Sequence, residues 1–185
     1  MSLKKTLTLG LATGFLVVLG AKAISAQDKN TVKVAGGLGF TDFKGYESWQ
    51  LVSISRNGSL MAAILGNPTV IDAYRAGIPE NGQPFPDGSK MAKVHWVPKE
   101  NTNAPGPPTV PGTLHDIDFM MKDAKRFADS GGWGFAAFEH DAASDSFAPA
   151  TTAAKPPQGH DARCGFTCHT KAKASDYVFT QYGKR

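Results

Sequence analysis

Close to the C-terminus two thiols and an imidazole fall within six residues, Cys164-Gly165-Phe166-Thr167-Cys168-His169. Cysteines four apart place both sulfurs on one face of a helix, a turn from each other, and the adjacent histidine adds a nitrogen ligand beside them. Covalent haem attachment uses these groups: two thiolates add across the vinyl groups and the imidazole ligates iron, normally in the spacing C-x-x-C-H. Here the spacer holds one residue more, and Gly165 directly after the first cysteine supplies backbone freedom to absorb it. Two other readings stay open. A disulfide would close too short a loop to constrain the unfolded chain much, and would be strained within one helical turn. A zinc or copper site could draw on His160, Cys164, Cys168 and His169, but two of these are sequence neighbours, whereas structural zinc ligands normally stand at least two residues apart.

The elements that must position these residues begin with an export signal. Residues 1–26 carry Lys4 and Lys5, an apolar run from Leu7 to about Gly20 and small residues up to Ala26, the layout of a secretory signal peptide. The expectation is a periplasmic chain of residues 27–185 in one domain, with no membrane span after cleavage. Export also suits haem c, which is attached outside the cytoplasm. Cleavage removes three lysines and no acids, leaving 17 basic against 16 acidic residues. So balanced a charge offers no basic stripe for nucleic acid.

Along the mature chain, residues 27–45 read as a polar, glycine-rich lead-in. Trp49 to Ser55 and Leu60 to Leu65 read as strands of a hairpin turning at Asn57-Gly58. Asn67-Pro68 opens a short helix that runs to Gly77. Ser89 to Val97 is a strand stopped by Pro98, and the five prolines of residues 98–113 predict a surface loop. His115, Ile117, Phe119 and Met121 alternate with Asp116, Asp118 and Met120, the pattern of a half-buried strand. Residues 122–132 predict a helix closed by Gly131 and Gly132, WGFAAFEH another strand, and residues 141–160 an irregular linker. The fold class is mainly β (α+β), an antiparallel sheet with short helices and a C-terminal haem-binding helical segment.

The order DGSKMAKVHW, MMKDAKRFADSGGWGFAAF, CGFTCHTKAKASDYVFTQY resembles the cytochrome P-460 family, whose relatives include cytochrome c′-beta, over about Gly45 to Tyr182. The resemblance implies a homodimer carrying one haem c (iron) bound through Cys164 and Cys168, with His169 as proximal metal ligand and an open distal side. It also singles out Lys93, which falls where family members carry a lysine bonded to the haem macrocycle. On its strand Lys93 shares a face with Met91, His95 and Val97. Lys90 is the neighbour most easily confused with it.

Two departures from the family pattern bear on activity. Where members place a distal arginine, this chain has Met61. The carboxylate expected in the loop before the haem motif is missing, since residues 146–160 hold no Asp or Glu. What the resemblance implies is oxidation of hydroxylamine, with Lys93 tuning the haem catalytically and a redox partner cytochrome taking the electrons. The alternatives are a nitric-oxide or gas-binding protein without turnover, and a simple electron-transfer cytochrome with a sixth ligand such as Met61 or His95.

Overall fold

A computed structural model describes residues 27–34, 37–150, 154–155 and 158–183, with the backbone alone for the described part of 154–164. The signal segment expected over residues 1–26 lies outside the described residues. The chain forms one six-stranded antiparallel meander in which sequence neighbours are sheet neighbours: β1 (Gln50–Asn57), β2 (Leu60–Gly66), β3 (Lys90–Glu100), β4 (Thr109–Lys122), β5 (Trp133–Asp141) and β6 (Ser146–Pro149). The mainly β expectation holds. Two short strands, β7 (Ala154–Lys155) and β8 (Gln158–Gly159), pair separately and lead into the C-terminal helix.

The β1–β2 hairpin turns where Asn57-Gly58 predicts it, with Gly58 at φ +57°. Helix α1 (Pro68–Arg75) is capped as its sequence demands: the Asn67 side chain accepts the Val70 amide at 3.1 Å, and Pro68 occupies the first helical position, where its missing N–H costs nothing. Helix α2 (His160–His169) carries the cysteine motif and continues as a tighter 3-10 turn over Thr170–Ser175.

Three stretches differ from their sequence expectation. Residues 98–113 do not form a loop throughout, because β3 and β4 extend into them and leave a tip near residues 101–108; Pro98 stands opposite Pro111, beside register shifts where the ladder needs no amide. Residues 122–132 make no α-helix. Phe127 N–H returns to the Asp123 carbonyl in a single turn, a 3-10 turn follows at Ala128–Ser130, and Gly131 (φ +68°) ends it before a helix can propagate. Part of the 141–160 linker is β6, which adds an edge to the sheet.

Both faces of the sheet are covered. On one side Ala92, Val94, Ile117, Phe119, Ala136 and Phe138 meet the supposedly polar lead-in, whose Phe40 and Phe43 are fully buried; Phe43 stacks on Phe119 with ring centroids 4.1 Å apart. Burying each such ring stabilises the fold by about 1.5–3 kcal/mol, enough to order a segment with little regular structure. The opposite face carries Ile64, Met91, Met120, Trp133 and Phe135 and packs against α1, Phe85 and Val178.

Candidate functional site

On that second face a cavity of about 720 Å³ opens between the sheet and the C-terminal segment. Its sheet-side wall consists of alternate residues that the antiparallel register aligns: Ile64, Lys93, Asp118 and Ala137 in one row, Met91, Met120 and Phe135 in the next. Gly165, Cys168 and His169 from α2 form the facing wall, with Val178, Phe179 and Thr180 beyond them. The structure thus brings Lys93 to one cavity with Cys168 and His169, which lie far downstream in the sequence. Cys164 lies on α2 one turn before Cys168, and its side chain is outside the described residues.

His169 is prepared for ligation. Its Nδ1 sits 2.6 Å from the Tyr177 carbonyl, which fixes the Nδ1–H tautomer and leaves the Nε2 lone pair for a metal. The rings of Phe135 and Phe179 flank it, each 5.0 Å away. Burial pushes its pKa down, the Tyr177 hydrogen bond opposes that, and the charge of Lys93 adds to the lowering. The neutral, coordinating form therefore persists to lower pH than for a free histidine.

The Tyr177 carbonyl is placed by an ion pair that joins two of the sequence's distinctive stretches. Asp176 (φ +49°) and Tyr177 (φ +64°) are consecutive left-handed residues, a costly arrangement outside glycine. Lys122 holds it by donating to both Asp176 oxygens, at 2.7 and 3.0 Å, and to the Gly131 carbonyl at 3.0 Å, while Asp176 also accepts the Phe85 amide. Gly131 must be glycine for a second reason, since a Cβ there would stand 2.2 Å from the Tyr177 ring. Farther on, the Tyr74 hydroxyl of α1 donates to the Thr180 carbonyl at 2.8 Å and anchors the outer wall.

Several sequence expectations are refined. Gly165 serves close packing more than backbone freedom: a Cβ there would come within 3.2 Å of Phe135, so glycine lets α2 settle on β5. Lys90 points to the other face, donating to the Asp42 carbonyl. Met61 pairs with Trp96, one residue out of phase with the cavity row of Ala62 and Ile64. His140 is engaged by Asp145 and the Leu114 carbonyl. The sequence reading missed Asp118, having sought a carboxylate in the loop before the motif. Asp118 lies opposite Lys93 on β4 and lines the cavity. Period-2 alternation puts Asp116, Asp118 and Met120 on one face of β4, and the register with β3 turns that face to the side that Lys93 occupies.

The sequence matches Cytochrome P460 over residues 43–180, three quarters of the chain. The chain belongs to the cytochrome P460 family. Among curated proteins none matches it. A cytochrome of this family binds haem, and the residues present fit it. The cavity lies within the 300–1,000 Å³ range of cofactor pockets, its walls are largely apolar, and an imidazole with a free Nε2 stands beside a cysteine one turn from a second. Cys168 is exposed and not in a disulfide, as a thioether-forming thiol must be.

Covalent attachment through Cys164 and Cys168 has a direct test. Acidic ketone extraction of denatured wild-type holoprotein is expected to leave the haem on the polypeptide, and Cys164→Ser is expected to leave one thioether at most and to lower holoprotein yield. Complete release of haem from the wild type would rule out attachment at either cysteine.

Proposed function

We propose that this protein is an exported haem c cytochrome that oxidises hydroxylamine at the open side of haem held by Cys164, Cys168 and His169. The observation that carries the reading is the pairing of Lys93 with Asp118 on the wall facing Cys168 and His169. When bound, haem would supply an iron with one position free for substrate and a sink for its electrons. Asp118 is placed to take a proton from a substrate N–H or O–H group. Lys93 reaches the same space and is the residue positioned to bond to the macrocycle. Ile64, Phe135 and Val178 exclude water from the inner wall.

Electron transfer through a six-coordinate iron finds little support, because neither Met61 nor His95 lines the cavity. The reading that competes is nitric-oxide capture without turnover, favoured by the apolar walls and by the lack of any arginine among the described cavity residues. A homodimer belongs to the same proposal: β1 is an edge strand and leaves Ile54 66% exposed, a surface suited to a second copy. So do the periplasm as location and a redox partner cytochrome as electron acceptor. Among the described residues no helix is long and apolar enough to cross a membrane.

The test is an optical spectrum of the ferrous holoprotein with peptide mapping and a hydroxylamine assay. A Soret band displaced to the red, a haem fragment joining the Lys93 peptide to the Cys164–Cys168 peptide, and hydroxylamine consumption are expected. Lys93→Ala is expected to keep the haem, show an ordinary c-type spectrum and lose the oxidation. Lys93 in an unmodified tryptic peptide, with no hydroxylamine consumed, would replace the enzyme reading with gas binding.

A further inference from the structure

The turn that carries the Tyr177 carbonyl is built from residues that merely stopping a helix would not need. The 3-10 turn over Thr170–Ser175 ends at Asp176, whose amide returns to the Lys173 carbonyl at 3.2 Å, and the Tyr177 amide returns to the Ala172 carbonyl at 2.9 Å. Glycine ends such a turn without steric cost, yet this chain places Asp and then Tyr in the left-handed region, at φ +49° and +64°. Strain of that kind persists only where the surroundings over-determine it. Lys122 is the fixed point: its N–H donates to the Ser89 carbonyl at 2.8 Å, and its own carbonyl accepts the Gly88 amide at 2.9 Å. From that anchor its ammonium reaches both Asp176 oxygens, while the Tyr177 ring lies against Gly131 and, 5.7 Å away, the Phe166 ring of α2. Each side chain of the turn is gripped by a separate element, and the Tyr177 carbonyl that follows stands 2.6 Å from His169 Nδ1.

We propose that Lys122 and Asp176 are positioning residues that keep the Tyr177 carbonyl on the His169 imidazole and thereby lower the reduction potential of the haem iron. A hydrogen bond from Nδ1–H to a carbonyl makes the imidazole more electron-rich, and a stronger donor at Nε2 stabilises ferric iron more than ferrous. A carbonyl at an ordinary chain end would drift with its segment. This one is held by a charge-assisted pair whose side chains are 7% and 11% exposed, where water and salt screen little. Through Lys122 the sheet, and not the C-terminal segment alone, sets the ligand. The resting iron is thereby held ferric, the state that an electron-donating substrate requires. The inference rests on His169 as the proximal ligand of haem and does not require hydroxylamine to be the substrate.

Potentiometry of the holoprotein, with resonance Raman spectra of its ferrous form, reads this without turnover. The decisive variant is Lys122→Met with Asp176→Asn, which removes one charge of each sign and leaves the asparagine oxygen for the Phe85 amide. Net charge near the iron is then unchanged, so the potential reports the carbonyl. The ferrous-to-ferric ratio at a fixed poise is expected to rise about tenfold, which is about 59 mV for a one-electron couple, and the iron–histidine stretching frequency to fall. Lys122→Met alone separates the two causes by sign: loss of a nearby cation lowers the potential, loss of the carbonyl raises it, and a rise is expected. A wild-type potential in the double variant overturns the proposal, as does a lowered potential in Lys122→Met should the double variant not assemble. A purely structural clamp would change holoprotein yield and the unfolding midpoint and leave potential and stretching frequency in place. An iron–histidine mode that survives in His169→Ala removes His169 as the ligand and this inference with it; a mode lost there but unmoved in the clamp variants removes this inference and keeps the ligation.

Discussion

Asp118→Asn is expected to slow hydroxylamine oxidation by about 10²–10⁴-fold while leaving haem content and the Lys93-dependent spectrum as in the wild type. The asparagine preserves shape and the register with Lys93, so the substitution isolates loss of the proton acceptor. Oxidising hydroxylamine releases protons together with electrons, and among the described residues lining the cavity Asp118 is the carboxylate placed to receive the first of them. The sign of the pH dependence follows: wild-type rates fall toward acid as the carboxylate protonates, and the variant is flat over that range. Steady-state assays across pH on both proteins make the comparison. Full activity in the variant would assign the proton acceptor elsewhere and weaken the enzyme reading as a whole.

Asp176→Ala should destabilise the fold by about 3–5 kcal/mol, the cost of leaving a buried charge without its partner. The side chains of Lys122 and Asp176 are 7% and 11% exposed, and Asp176 also accepts the Phe85 amide, so its loss strands two donors in the core. Lys122→Met in the same chain is expected to recover part of the loss, because it removes the orphaned charge. Urea unfolding followed by the fluorescence of Trp133, which lies under the Lys122 ammonium, reads both variants. The iron site should respond as well: without the ion pair the left-handed turn at Asp176 and Tyr177 relaxes, and the carbonyl that fixes the His169 tautomer moves. A wild-type unfolding midpoint in Asp176→Ala would show that the turn is held by other contacts.

Local chemistry was legible wherever a few neighbouring residues determine it. The Asn57-Gly58 hairpin, the Asn67-Pro68 helix start and the placing of Cys164 and Cys168 on one helix all depend on backbone preferences acting within a turn or two. Resemblance singled out Lys93, which lines the cavity, and alternation grouped it with Met91 and His95 on one face of β3. Where burial is decided by distant partners, the sequence misled. Phe40 and Phe43 sit in a glycine-rich stretch that looks like a solvated lead-in, and they become core because the sheet presents Phe119 and Phe138 to them. Residues 98–113 resemble a loop by proline count, yet Pro98 and Pro111 face each other in a ladder that tolerates missing amides beside its register shifts.

The site divides along the same line. By itself the sequence determined its reactive groups, two thiols and an imidazole at fixed spacing, since these follow from residue type and helical period. Only the tertiary structure decided which carboxylate serves the cavity, because a period-2 pattern shows that Asp116 and Asp118 share a face but not whether that face meets water or protein. Antiparallel pairing of β3 with β4 sets Asp118 against Lys93, and the C-terminal segment, clamped by Lys122 and Asp176, closes the opposite side. A polar row with an apolar row behind it and a lid in front is a site; the same row without the lid would be an ordinary solvated surface.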